Sequence, residues 1–440
     1  MDGPRRDSQP EPRRELHRDP RPGPRPLPLY LSAAATTWLS SYASSVAWKN
    51  GSLDWKPGLS ETAASLKAQL DALEAARAAA AEPDAAAGPP DSFESAMEEE
   101  VRRRLDRFLS GIEAYRHHPY RRTVAEPAVC WKDGSTLLLD YGTVPGAAPN
   151  GFPILVAPSL VNRGYVLDLT EQRSLLRDLA RRGYRPFLVE WGFPGEAERR
   201  FALTDYVAGR LEAALEAVLT ITGTRPALLG YCMGGLLALA LAQRRPRDIS
   251  GLLLLATPFD FAADAPPIAA SLPMAEPWLA GSIETLGWLP TDWIQALFFA
   301  LDPLLVINKF LRFGQTDSKT GEAADFVALE DWLNDGVPLA APVAREALFG
   351  WYGRNTPAIG DWRIAGRPVI PEQVTVPALA MISARDRIVP PASARALADR
   401  LPNATRADVA LGHIGMVVSA GAPTRAWTTL HSWLAETLPG

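Results

Sequence analysis

The sequence predicts an α/β fold: a mostly parallel sheet with helices on both faces, an inserted cap and an N-terminal helical appendage. Three observations lead there. From Ala128 onward, short runs rich in Val, Ile and Leu alternate with helical stretches, which suits strands buried on both faces. A Gly-rich turn, residues 230–235, joins one such run to a helix. The run at 251–256 is separated from the next, at 377–383, by about 120 residues, too many for one crossover connection.

Residues 129–132, the dipeptide Asp133-Gly134 and residues 136–141 read as a hairpin with a tight turn. Strand 154–157, a helix near 169–182, strand 186–190, a helix near 204–222, strand 227–230 and helix 236–243 follow in βαβ rhythm. Three helical patterns precede the hairpin, at 30–48, at 61 to about 81, and at 92–117. In the third, Val101, Leu105, Phe108, Leu109, Ile112 and Tyr115 share a face, and Asp91 with Glu94 resembles a capping box. The Ala/Pro/Gly stretch 78–90 reads as a linker. The resulting division is a disordered Pro/Arg-rich tail (1–28), a helical N-terminal region (29–125), a first core part (126–260), a cap (261–373) and a second core part (374–440).

With 440 residues, 47% of them hydrophobic, the chain can bury a sizeable core. A net charge of -5 with dispersed Lys and Arg gives no electrostatic reason to bind nucleic acid. The two cysteines, Cys130 and Cys232, are too few for a disulfide framework and fit a reducing compartment, with the cytoplasm as the expectation. The N-terminus lacks the apolar core of a secretory signal. The longest apolar stretches are 227–242, broken by three glycines, and 293–310, broken by Asp302 and Pro303, so no transmembrane segment is expected. No metal site is expected either.

Gly230-Tyr231-Cys232-Met233-Gly234-Gly235 between strand and helix has the context of a nucleophile elbow in an α/β-hydrolase fold, with Cys in the place usually taken by Ser. The helix N-terminus behind Cys232 favours a thiolate and a developing oxyanion. Of five histidines, His17 lies in the tail, His117 and His118 end a helix, and His431 sits in a helical run. His413, in the Gly-rich loop 411–415 after the last strand, is the candidate base. Asp386, just past strand 377–383, is the candidate acid that orients it, with Asp260 as rival. Met233 is expected to give one oxyanion amide, and Leu160 or Val161 the other.

These residues resemble the polyhydroxyalkanoate (poly-3-hydroxybutyrate) synthase family, above all the catalytic subunit of its two-subunit, class III type. The resemblance covers roughly residues 111–438. It rests on the elbow, on Asp386-Arg387-Ile388-Val389-Pro390 and on Gly412-His413-Ile414-Gly415 in that order, and on segments 112–122, 160–163, 167–169, 189–192 and 331–336. The family's nucleophile, acid and base fall on Cys232, Asp386 and His413. The chain departs from it in carrying Arg387 where many synthases have His, in Tyr231 and Met233 of the elbow, and in its long N-terminal region.

The resemblance implies an acyltransferase that polymerises 3-hydroxyacyl-CoA through a Cys acyl-enzyme, with coenzyme A thioester as substrate and no cofactor. It implies a substrate tunnel using Asn162, Trp332 and Asp335, a growing polyester chain as partner, a homodimer or second synthase subunit, and a place at the polyester granule surface. Two other readings stand beside it: a Cys-dependent hydrolase on the same scaffold, either polyester depolymerase or acyl-CoA thioesterase, and a silent granule-binding protein. The amphipathic N-terminal helices must bury their stripe, and the expectation is that they serve assembly or granule attachment and take no part in bond making.

Overall fold

The structure, a computed structural model, describes residues 20–56, 58–80, 93–265 and 267–438. The apolar runs pair into one sheet whose strands are β1 (Ala128–Asp133), β2 (Thr136–Asp140), β3 (Phe152–Ala157), β4 (Tyr184–Glu190), β5 (Ala227–Tyr231), β6 (Gly251–Leu255), β7 (Ala378–Ser383) and β8 (Ala404–Val409). Their spatial order is β1-β2-β4-β3-β5-β6-β7-β8. The hairpin strands β1 and β2 and the β2–β4 pair are antiparallel, and every other pairing in the sheet is parallel. The hairpin closes with Asp133 opposite Thr136 and Gly134 at φ 58°, a left-handed turn position that favours glycine.

Helices α1 (Leu27–Lys49), α2 (Ser60–Ala80) and α3 (Phe93–His117) precede the sheet. Helices α4 (Leu175–Arg181), α5 (Glu212–Thr222) and α6 (Met233–Arg244) cover its faces. Between β6 and β7 lie α7 (Leu272–Leu286), α8 (Thr291–Leu301), α9 (Pro303–Phe313) and α10 (Gly321–Asn334), the cap. Two large clusters of buried apolar side chains flank the sheet, one with α5 and α6, the other with α4 and the C-terminal helix Thr428–Thr437. Residue stretch 293–310 is two helices bent by 93° at Asp302, whose side chain caps α9 through the Leu305 amide. No single helix among the described residues is long and apolar enough to cross a membrane.

Helix α4 begins later than the sequence pattern suggests. Ser174 caps it by accepting from the Arg177 amide, and the turn before it folds back so that Asp168 bridges to Ser174. The reason is a buried carboxylate. Asp168 accepts from Arg177 Nε at 2.7 Å, from Arg177 Nη2 at 3.1 Å, from the Tyr141 hydroxyl at 3.1 Å and from Arg122 Nη2 at 3.2 Å. Arg177 and Asp168 are both fully enclosed, so each charge depends on the other.

The expected disordered tail needs correction over residues 20–28. Arg21 is buried, pairs with Asp331 at 2.7 Å and donates to the carbonyls of Tyr115, His118 and Tyr120. A guanidinium there satisfies orphan carbonyls at the end of α3 and meets the negative end of its dipole, which binds the segment to the body of the protein. The apolar stripe of α3 is likewise covered within the chain. Phe108, Ile112 and Tyr115 pack with Tyr30, Ala34 and Trp38 of α1 and with Phe310 and Phe313 of α9. Leu109 lies off this stripe and is exposed. Residues 1–19, Asp91 of the expected capping box and the linker beyond residue 80 fall outside the described residues.

Asp168→Asn keeps the shape but leaves the Arg177 guanidinium buried without its counter-charge. It is expected to lower the free energy of unfolding by about 3 kcal/mol in urea denaturation. A loss below about 1 kcal/mol would show that Asp168 is not the anchor of this turn.

Candidate active site

Strand β5 ends at Tyr231 and α6 starts at Met233, so Cys232 alone makes the turn, at φ 54° and ψ -128°. A side chain in that region costs about 1–3 kcal/mol and persists only where its surroundings impose it. They do so by close approach. A Cβ on Gly230 would stand 2.4 Å from Gly235 Cα, and one on Gly234 would stand 2.1 Å from the Ala157 carbonyl oxygen. Glycine is what lets β5, β3 and α6 converge under the turn. The Cys232 amide bonds to the Leu255 carbonyl at 2.9 Å, which fixes the turn to β6 as well.

His413 comes from the loop after β8, and Asp386 from the turn after β7. His413 Nδ1 lies 2.7 Å from Asp386 Oδ2, and both side chains are buried. The other carboxylate oxygen, Asp386 Oδ1, accepts from the amides of Ile388 at 2.8 Å and Val389 at 2.9 Å. The carboxylate is thus fixed before it meets the ring, and with Nδ1 taken the free imidazole nitrogen is Nε2. The ring lies beside Tyr231, with centroids 5.4 Å apart, and the Tyr231 hydroxyl donates to the His413 carbonyl at 3.3 Å. Cys232 and Asp386 are the neighbouring groups that favour the charged imidazole. Burial disfavours the charged ring, but Cys232 and Asp386 outweigh it and push His413 from 6.5 up to about 10. Burial, aided by the Asp140 charge, raises the Cys130 thiol to about 11, and Cys130 sits at a bulge in β1 against the Leu138 carbonyl.

Asp260, the rival acid, is used elsewhere. Its Oδ1 accepts from the amides of Ala262 and Ala263 and from Asn355 Nδ2 at 2.8 Å, which secures the start of the cap. Among the other described histidines, His118 joins the end of α3 to the Ser318 carbonyl, His117 is exposed beside Glu113, and His431 pairs with Asp178 at 2.6 Å.

Cys232 and His413 open on a cavity of about 330 Å³ whose walls include Phe261, Phe298, Phe299, Trp332, Trp351 and Tyr352. Met233, Val161, Asn162 and Trp332 line it. Met233 is the first residue of α6, so its amide has no acceptor within the helix and is free for a ligand. The other expected amides fare differently. Val161 gives its N–H to Ser159 Oγ at 3.1 Å; the Leu160 side chain packs in the core under the loop, which leaves the role of its amide open to test. Asp335 also misses the cavity. It pairs with Arg163 at 3.3 Å, while its neighbour Trp332 reaches the cavity and donates Nε1–H to the Arg163 carbonyl at 2.8 Å. One turn of helix separates the two fates. Asn162 pairs across a bridge with Gly336, and its buried Oδ1 has no hydrogen-bond partner.

Sequence reasoning missed the cap aromatics Trp351 and Tyr352, which sit in a π-helical turn with no clean period, and Pro24, Arg25 and Tyr30, which line the same cavity from the N-terminal segment. Burial keeps the Tyr352 phenol neutral, with the nearby Cys232 and Asp386 adding to the effect. No group of three or more His, Cys, Asp or Glu among the described residues could hold a metal ion.

Residues 153–420 match the family model described as alpha/beta hydrolase fold. A "Poly(3-hydroxyalkanoate) polymerase subunit PhaC" of Synechocystis sp. is 30% identical over 297 residues, 66% of this chain and 79% of that one. Proteins of the same name from Thiocystis violacea and Allochromatium vinosum are 26% and 28% identical, covering 71% and 66% of this chain and 89% and 83% of theirs. The strand order, the cysteine elbow and a similarity that runs through most of the polymerase subunit agree, and the chain belongs to the poly(3-hydroxyalkanoate) polymerase family within the α/β-hydrolase superfamily.

Proposed function

We propose that this enzyme polymerises 3-hydroxyacyl-CoA, releasing coenzyme A, through an acyl-enzyme on Cys232. The observation that carries the reading is the cysteine held in the elbow, sharing an apolar cavity with a buried His413 that Asp386 holds through Nδ1. The comparisons supply the reaction class through the relatives' name, poly(3-hydroxyalkanoate) polymerase.

The cycle balances on one proton. With His413 as imidazolium, Cys232 attacks as thiolate at the thioester carbonyl, and the oxyanion that forms meets the Met233 amide and the positive end of α6. The intermediate collapses, the C–S bond to coenzyme A breaks, and His413 gives its proton to the departing thiolate. The ring is now neutral, and the Cys232 charge that raised its proton affinity is gone. It can accept the proton of a 3-hydroxyl group from a second monomer or the growing chain, whose oxygen attacks the acyl-enzyme. The new ester leaves, and the thiolate–imidazolium pair is restored. Asp386 holds Nδ1–H throughout and keeps Nε2 turned to the reaction. An apolar, covered cavity disfavours water as the competing nucleophile.

Incubation with 3-hydroxybutyryl-CoA, following coenzyme A release and product together, tests the reading: polymer is expected, whereas free 3-hydroxybutyrate as main product would replace it with a hydrolase. Cys232→Ala is expected to lower coenzyme A release at least about 10³-fold with the melting curve unchanged, while Cys130→Ala leaves the rate intact. The reverse pattern would sink the assignment.

Asp386→Asn is expected to impair turnover more than single-turnover acylation of Cys232, because a hydroxyl nucleophile needs the oriented base more than a thiolate does. Equal losses in both steps would refute this division.

The proton affinity of His413 gives a third check. Removing the Cys232 charge deletes a cause that raises the ring, while burial still lowers it, so in Cys232→Ala the imidazole should titrate below about 10 by NMR. An unshifted titration would mean that the two side chains do not interact.

A further inference from the structure

The N-terminal segment does more than cover a core, since Pro24, Arg25 and Tyr30 share the cavity that Cys232 and His413 open on. We propose that residues 20–30 form a fixed wall of the acyl pocket and that the Tyr30 ring sets the length of the 3-hydroxyacyl chain the pocket accepts. The proposal rests on the reading of the chain as a 3-hydroxyacyl-CoA polymerase.

Fixation is the first part of the argument. Arg21 is anchored on Asp331 and on the carbonyls at the end of α3. Two residues on, Gly23 lies so close to Asn334 that an added Cβ would stand 2.7 Å from its side chain, and the Arg25 amide donates to Asn334 Oδ1 at 2.6 Å. The Arg25 guanidinium pairs with Asp292 of α8 at 3.0 Å. Both Asp331 and Asn334 belong to α10, which also carries the cavity residue Trp332. The segment is thus tied to the helices that shape the pocket.

Position is the second part. The Tyr30 side chain is buried, its ring lies 5.3 Å from the Phe299 ring, and its hydroxyl donates to the Arg25 carbonyl at 2.6 Å. A ring held at its face and at its hydroxyl cannot swing aside for a longer ligand. It is a wall of defined depth, built on a segment that the hydrolase core does not contain. Burying one more methylene is worth about fourfold in affinity, so moving such a wall by one or two methylenes changes selectivity measurably.

The test compares kcat/KM for 3-hydroxybutyryl-CoA and 3-hydroxyhexanoyl-CoA. Tyr30→Ala is expected to raise the hexanoyl-to-butyryl ratio by about fivefold to tenfold; Tyr30→Trp should lower it, and Tyr30→Phe, which keeps the ring, should leave it within about twofold. A merely structural role would change both substrates by the same factor in the Ala and Trp variants, and that result overturns the proposal. Alkylation of Cys232 by N-alkyl maleimides of increasing chain length, read on its own peptide by mass spectrometry, measures the pocket without turnover. If no CoA thioester is turned over, the polymerase reading falls while this ladder still tests the wall. A ladder unchanged in Tyr30→Ala and in Tyr30→Trp rejects it. Should Tyr30→Ala fail to melt cooperatively, the Trp variant and the ladder decide.

Discussion

A cysteine at φ 54° must be held by something stiffer than itself, and the architecture around Cys232 answers to that demand. The thiol is presented at the end of β5, a strand with parallel neighbours on both sides, β3 and β6. Strands made almost wholly of apolar residues and buried on both faces make a stiff frame, since their backbones pair with neighbours on both sides and their side chains are packed. The glycines of the turn then bring α6 close enough for its first amides to face the same point. Replacing any one of them would separate the helix from the strand and relax the turn, and with it the aim of the thiol.

The same frame fixes the distance between acid and base. Asp386 follows β7 and His413 follows β8, neighbouring parallel strands whose register runs from Ala378 opposite Ala404 to Ser383 opposite Val409. Two turns leaving adjacent strand ends on one side of a sheet are neighbours by construction, so the pairing needs no long-range luck. What remains is to set the carboxylate's rotamer, and the amides of Ile388 and Val389 do so. Tyr231 extends the constraint to the nucleophile's own strand, since the residue before the cysteine lies beside the base and bonds its carbonyl.

This explains what was legible in the sequence. Strands and the Asp-Gly turn announce themselves through short-range patterns, and a residue placed just after a strand in a parallel sheet has its destination decided by topology. The meeting of Asp386 with His413 on the side of the sheet where Cys232 turns could therefore be expected from order along the chain, while Asp260 stayed a rival acid until its own partners were seen. Details decided by single hydrogen bonds could not. Whether Val161 offers its amide to a ligand depends on the rotamer of Ser159, and whether Asp335 or Trp332 faces the cavity depends on a helix phase that Arg163 selects. The order of residues 20–28 was hidden for a related reason. Arg21 binds backbone carbonyls, which every residue has, so its partners leave no trace in composition, and a Pro- and Arg-rich segment reads as disordered until its acceptors are known.

The N-terminal region shows how a cap can depend on chain that precedes the whole catalytic scaffold. Helix α9 turns its aromatic face, Phe310 and Phe313, toward α1 and α3, and the face of α10 carrying Asp331 and Asn334 toward the segment leading into α1. Without those partners, the Phe310 and Phe313 rings of α9 would lose much of their cover, and burying such a ring is worth roughly 2–3 kcal/mol. Cap residues such as Ile283, Val343, Ala344 and Phe349 join the core cluster beside α5 and α6 without lining the cavity. The N-terminal helices add support from a second side, burying the outer face of the cap while its inner face opens on the cavity. An apolar cavity beside a strained cysteine can persist because much of the apolar burial that holds its roof lies away from the cavity, in the core beside α6 and against the N-terminal helices.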